Sequence, residues 1–151
     1  MRDASAVPDE APSPRRPGRQ PVRVLVVDDH DGFRSALVRA LSLTPEVDVA
    51  GDANSGEQAC DVVIDLRPDV VLMDLSLPGM DGIDATRRIR RSNPDTRVVM
   101  LTTLDGVSVE RSAREAGASG VIGKGTPLDD VVTMILEAAG PGPRAEADPG
   151  N

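Results

Sequence analysis

Hydrophobic and polar positions alternate along this chain in two rhythms, short apolar runs and helical stripes. Residues 22–27 (VRVLVV) form a run of β-branched residues and leucine, the pattern of a strand buried on both faces. Over 31–43, Phe33, Leu37, Ala40 and Leu41 fall on one helical face. Residues 47–53 read as a second, weaker strand. Asn54, with Glu57 three residues on, predicts the capped start of a helix reaching Leu66, and Pro68 ends it. Residues 70–73 are a third strand, closing on Asp74. A loop with Pro78, Gly79 and Gly82 leads into a helix to about Ser92, stopped by Asn93-Pro94. A fourth strand is predicted at 97–101, a short helix at 107–116 ended by Gly117, and a short fifth strand at 121–122. The last helix spans 128–139, with Leu128, Val131, Val132, Ile135 and Leu136 apolar and Gly140 at its end.

Five β-α units in succession imply a parallel sheet with helices on both faces. The folded part is expected over 22–139. Residues 1–21 carry five prolines and little apolar surface, so they are expected to be a disordered arm, and 140–151 a flexible Pro/Gly-rich tail. The first twenty residues hold four Arg, three acidic residues and four Pro, unlike a secretory signal, and apolar runs reach no more than about five residues. A cytoplasmic protein with no membrane association is therefore expected.

Composition narrows the chemistry. The net charge is −8 at pH 7, and all of it belongs to 22–139, where 12 basic residues face 20 acidic ones. Direct nucleic-acid binding needs a cationic face, and base stacking needs aromatic residues, of which Phe33 is the only one. The basic run Arg87, Arg88, Arg90 and Arg91 then reads as a solvated helix face. A single cysteine, Cys60, excludes an intrachain disulfide and a cysteine zinc cage, and a single histidine, His30, excludes a multi-histidine metal site. Cys60 is expected on a helix face, His30 at a helix start and Phe33 in the core.

In parallel sheets of this kind, ligands bind beyond the carboxyl ends of the strands. Asp28 and Asp29 follow the first strand, Asp74 the third, Thr102 and Thr103 the fourth, and Lys124 the fifth. Three converging carboxylates repel unless a cation compensates them, and a hard divalent ion such as Mg²⁺ suits an all-oxygen set. Lys124 is the only lysine among seventeen basic residues. A surface site would accept arginine equally well, whereas a compact ammonium is not interchangeable with a guanidinium at a phosphate. A metal, an ammonium, a hydroxyl and a carboxylate nucleophile together suit a phosphoryl group.

VLVVDDH at 24–30, DLSLPGMDG at 74–82, Thr102 after a strand and Lys124 in GASGVIGK jointly resemble the bacterial response-regulator receiver domain, over essentially all of 22–139. The DDH start, Phe33-Arg34 and the GASGVIGK ending look most like receivers of LuxR-type regulators of the NarL/FixJ kind, here without the DNA-binding domain. The resemblance implies a flavodoxin-like (βα)5 fold with a five-stranded parallel sheet in order 2-1-3-4-5. It implies that Asp74 accepts phosphate from a sensor histidine kinase or phosphotransfer protein. It also implies that Asp29 binds Mg²⁺ (or Mn²⁺) directly and Asp28 through water, with Asp74 and the backbone carbonyl of Ser76 completing the protein contacts. Thr102 corresponds to the switch hydroxyl and Lys124 to the cation that pairs with the acceptor and then the phosphate. Ser76 and Leu104 correspond to positions that tune hydrolysis.

The chain departs from the family pattern at Val121, where an aromatic residue is usual three residues before the lysine. Only eleven residues follow Gly140. The expected output is therefore a switched protein–protein surface, a homodimer among the candidates, with the receiver part of a truncated LuxR-type transcription regulator as the alternative. A Mg²⁺-dependent phosphatase with an aspartyl-phosphate intermediate is a further alternative. It needs a general acid two residues after Asp74, where Ser76 is a poor proton donor.

Overall fold

In the computed structural model, which describes residues 20–103 and 107–140, the apolar runs form one parallel sheet and the stripes five helices. The strands are β1 (Val22–Val27), β2 (Val47–Ala53), β3 (Val70–Asp74), β4 (Arg97–Thr102) and β5 (Gly120–Gly123). The helices are α1 (Asp31–Ser42), α2 (Gly56–Leu66), α3 (Gly82–Ser92), α4 (Val107–Glu115) and α5 (Leu128–Ala139). All pairings are parallel, in the order β2-β1-β3-β4-β5. This is the 2-1-3-4-5 sheet implied by the resemblance. Among the described residues, no helix is long and apolar enough to cross a membrane. The arm expected over 1–21 lies outside the described residues save for Gln20 and Pro21, and the tail lies outside them from residue 141.

Strand side chains alternate between two faces, so the central strands feed two cores. Leu25, Val27, Val71, Met73, Val98 and Met100 pack with Ala59, Val63, Ala85, Ile89 and Ala113 of α2, α3 and α4. Val24, Val26, Leu72, Val99 and Leu101 pack with Leu41 of α1 and with Val131, Ile135 and Ala139 of α5. Burial on both faces explains why β1, β3 and β4 read as continuous apolar runs. Edge strand β2 has one neighbour and is fully buried only at its end residues, Val47 and Ala53.

Two local expectations change. The start of α2 lies one residue later than the Asn54/Glu57 pair implies. Ser55 is the N-cap, its hydroxyl accepting from the Gln58 amide, while Gln58 Oε1 accepts from the Asn54 amide. Glu57 is thereby turned away and accepts from the amide of Met80 in the β3–α3 loop. The close seat of Gly56 accounts for this register: a Cβ there would lie 2.8 Å from the Met80 carbonyl oxygen. In α1, Leu43 is the C-cap rather than a helical residue and is 81% exposed.

Gly82 opens α3 behind the Asp81 cap, whose carboxylate accepts from the Asp84 amide. A Cβ at Gly82 would overlap the carbonyl oxygen of Asp74 and come within 2.9 Å of Leu75 Cα. Both obstacles are backbone, so neither can swing aside. Gly82→Ala is expected to lower unfolding stability by at least about 2 kcal/mol in denaturant titration. A change below about 0.5 kcal/mol would show that the loop has room.

Candidate functional site

The carboxyl ends of β1, β3, β4 and β5 open into a cleft of about 560 Å³ lined by Asp29, His30, Phe33, Asp74, Ser76, Thr103 and Lys124. Each strand delivers its polar residue where its apolar run stops. Asp28 follows β1 and is fully buried, Asp74 ends β3 and is 3% exposed, and Asp29 is exposed at the rim. One carboxylate oxygen from each of the three lies within 4.8 Å of the others.

Backbone donors and one ammonium hold this cluster. Asp28 Oδ1 accepts from the His30 amide at 2.8 Å, and Asp74 Oδ1 from the Ser76 amide at 3.1 Å. Lys124 Nζ stands 2.8 Å from Asp28 Oδ2 and 3.4 Å from Asp74 Oδ2. Asp28 Oδ2 is buried, with the Lys124 ammonium as its charge partner and no further hydrogen bond. Burial, helped by repulsion from Asp28, pushes the Asp74 carboxyl above its ordinary value, against the Ser76 amide and Lys124. Burial alone would lower the Lys124 ammonium, but contact with Asp28 and the charge of Asp74 outweigh it and hold the pKa up.

One ammonium against three carboxylates leaves the cluster negative. A buried carboxylate oxygen whose one partner is a shared ammonium, in an all-oxygen set, fits a hard divalent cation. Asp28, Asp29 and Asp74 are the carboxylates that could hold it, with Ser76 on the same cleft wall.

Residues 24–136 match the family model described as the response regulator receiver domain. The chain belongs to the response regulator receiver family. The receiver is 42% identical to the response regulator GacA of Pseudomonas viridiflava over 114 residues, which is 76% of this chain and 53% of that one. It is 37% identical to the probable transcriptional regulatory protein NarL of Mycobacterium tuberculosis over 123 residues, 82% of this chain and 57% of that one. This receiver therefore spans about half the length of the curated relatives it matches. Among solved structures, the signal receiver domain of NarL from Mycobacterium tuberculosis superposes with a TM-score of 0.76 at 37% identity, covering 80% of this chain and 97% of that domain. The response regulator domain of CheB from Thermotoga maritima gives 0.73 at 31% identity, covering 82% and 100%. The chain is a receiver domain of two-component response regulators, a family of acidic-pocket, Mg²⁺-binding domains.

The structure brings Asp28, Asp29, Asp74, Ser76 and Lys124 together at this receiver's cleft. Thr102 ends β4, is 4% exposed, and accepts the Lys124 amide on its carbonyl at 2.9 Å. Its exposed neighbour Thr103 is the threonine on the cleft wall. Leu104 lies outside the described residues. Val121 is half-buried and packs against the core beneath α2, α3 and α4.

Phe33 has a place that helical periodicity alone missed. It packs against the α1/α5 core, yet its ring centre lies 4.9 Å from Lys124 Nζ, so it also walls the site. The sequence signal was available, since the only aromatic residue stands three positions after His30. His30 is the N-cap of α1. Cys60 is free and half-buried on α2, and burial pushes its thiol up. In the basic run, Arg87 pairs with Asp84 at 3.2 Å, and Arg90 donates to the Thr96 carbonyl.

Proposed function

We propose that the protein takes a phosphoryl group onto Asp74 from a sensor histidine kinase or phosphotransfer protein, with Mg²⁺ (or Mn²⁺) in the acidic cleft. The carrying observation is Lys124 placed between Asp28 and Asp74, at the mouth of a three-carboxylate cluster. In the reaction, one Asp74 oxygen bonds to phosphorus as the phosphorus–nitrogen bond of the donor breaks. The electron pair leaves with the imidazole, which regains a proton. Asp28, Asp29, Asp74 and the Ser76 carbonyl would hold the cation. That cation would supply positive charge for the phosphoryl oxygens.

This chain's own residues do the rest. The Ser76 amide orients Asp74 through Oδ1. Lys124, backed by Phe33 and anchored through its amide to Thr102, is poised to pair with the new phosphate. Thr102 is the switch hydroxyl. Its β4 position links the cleft to β5, where its Cα partner is Gly123. The phosphate adds nearly two negative charges, and the shift it drives exposes a protein–protein surface as the output. Val at 121 leaves that output without an aromatic side chain at the usual switching position. Ser76, two residues past Asp74, offers no carboxyl group as a general acid, which disfavours a turning-over phosphatase.

Intact-mass spectrometry after incubation with acetyl phosphate tests the reading. With Mg²⁺ the chain is expected to gain one phosphoryl group, and with a chelator none. Equal gain in both conditions, or gain mapped to a residue other than Asp74, would overturn it.

A further inference from the structure

Arg34, on the first turn of α1, binds with all three of its guanidinium nitrogens. Nη1 donates to the backbone carbonyl of Asp28 at 2.7 Å, Nη2 to Asp31 Oδ1 at 2.8 Å and Nε to Asp52 Oδ2 at 2.8 Å. Its side chain is 14% exposed. The three acceptors belong to the end of β1, the start of α1 and the end of β2, so one side chain clamps three segments at the rim of the cleft.

The Asp28 carbonyl has a particular consequence. It belongs to the peptide plane joining Asp28 to Asp29, and its direction sets how Asp29 leaves the strand. Asp29 is exposed, so the aim of its carboxylate depends on the backbone that carries it rather than on packing. An uncompensated guanidinium this close would also repel a divalent ion. Asp31 and Asp52 neutralise it, leaving the clamp without the repulsion.

We propose that Arg34 is a positioning residue for the cation site. It holds the Asp28–Asp29 peptide plane so that the Asp29 carboxylate stays within reach of Asp28 and Asp74. The proposal rests on the cation-binding reading above.

Charge and geometry predict opposite signs for the test. Removing a cation beside an anionic site should tighten Mg²⁺ by Coulomb attraction alone. Loss of positioning should weaken it, by about tenfold or more as for other supports of metal ligands. The full chain and its Arg34→Ala, Arg34→Lys, Asp29→Asn and Arg34→Ala/Asp29→Asn variants are titrated calorimetrically with Mg²⁺, with thermal melting in parallel. Arg34→Ala is expected to bind about tenfold more weakly. The double variant is expected to bind no more weakly than Asp29→Asn alone, because both changes act through one carboxylate. Arg34→Lys keeps the charge but cannot span three acceptors, so it too is expected to bind more weakly. It carries the test should Arg34→Ala not fold. Wild-type or tighter affinity in a folded Arg34→Ala or Arg34→Lys chain would overturn the proposal. An unaltered chain that binds no Mg²⁺ would overturn the cation-site reading, and the proposal with it.

Discussion

An Asp74→Asn chain is expected to take up no phosphoryl group where the unaltered chain is fully labelled, and yet to melt several degrees higher. The two effects share one cause. In the cleft, Asp28, Asp29 and Asp74 crowd one carboxylate oxygen each within 4.8 Å, and Lys124 supplies a single positive charge. Asp74 is almost fully buried, so its ionised form costs stability that the Ser76 amide and Lys124 only partly recover. The neutral amide is nearly isosteric, keeps an oxygen for the Ser76 amide and leaves Lys124 paired with Asp28. It removes a like charge at the cost of the nucleophile. A gain of about 1–2 kcal/mol corresponds to roughly 3–8 °C for a domain of this size. Calorimetric melting checks the stability, and intact mass with acetyl phosphate checks the chemistry. Mg²⁺ should raise the melting temperature of the unaltered chain far more than that of the variant, since binding to the native state stabilises by mass action. A variant that melts lower would mean that the Asp74 charge is net stabilising and outweighs the repulsion in the cluster.

Replacing Lys124 should act in the reverse direction on stability and Mg²⁺ binding, but in the same direction on phosphoryl uptake. Lys124→Met keeps an apolar stem but removes the ammonium that stands 4.9 Å from the Phe33 ring centre, 2.8 Å from Asp28 and 3.4 Å from Asp74. The fully buried Asp28 would lose its neighbouring cation, and stability should fall by about 1–3 kcal/mol. Mg²⁺ should bind more tightly than to the unaltered chain, because no resident ammonium competes for the same oxygens. Saturating Mg²⁺ should restore much of the lost stability. Phosphoryl uptake should nevertheless fall by about a hundredfold, since the group that neutralises the incoming oxygens is gone. Lys124→Arg should not rescue it, because a planar guanidinium does not fit where a compact ammonium sits between two carboxylates. Initial rates of labelling by acetyl phosphate, with the Mg²⁺ affinity and melting curve of each variant, check these signs. Uptake at the unaltered rate in Lys124→Met would remove Lys124 from the phosphoryl site.

How much of this was legible beforehand differs from residue to residue. β1, β3 and β4 were readable because burial on both faces demands continuous apolar runs, which a half-exposed strand would break with polar residues at every second position. Asp28, Asp29, Asp74 and Lys124 were readable because each stands within two residues of where an apolar run stops. A residue there must emerge at the carboxyl edge of a parallel sheet. The α2 cap lies one residue beyond the position that Asn54 and Glu57 predict, since Asn54 and Ser55 are both good caps. What separates them is the room Gly56 needs beside Met80, a contact between distant segments. Phe33 was assigned to the core by helical periodicity, which resolves the face of a helix but not which end of the sheet that face overhangs. Arg34 entered the sequence reading only through the Phe33-Arg34 resemblance, and its clamp was not legible: Asp31 and Asp52 are ordinary acidic residues, and the Asp28 carbonyl is an ordinary strand-end group, until β2 is laid beside β1.

The sequence by itself therefore determined the alternation of strands and helices, the two-faced core and the residues at the strand ends. These follow from side-chain periodicity and from where each apolar run stops, both local properties of the chain. The tertiary structure decided what those residues do to one another. It placed Lys124 between two carboxylates, its ammonium over an aromatic ring, and tied the Asp28 carbonyl through Arg34 to the neighbouring strand. Distances of this kind depend on strand order and on the register of the parallel pairs. No local periodicity encodes either, because both emerge only when segments far apart in the chain compete to bury the same apolar surface.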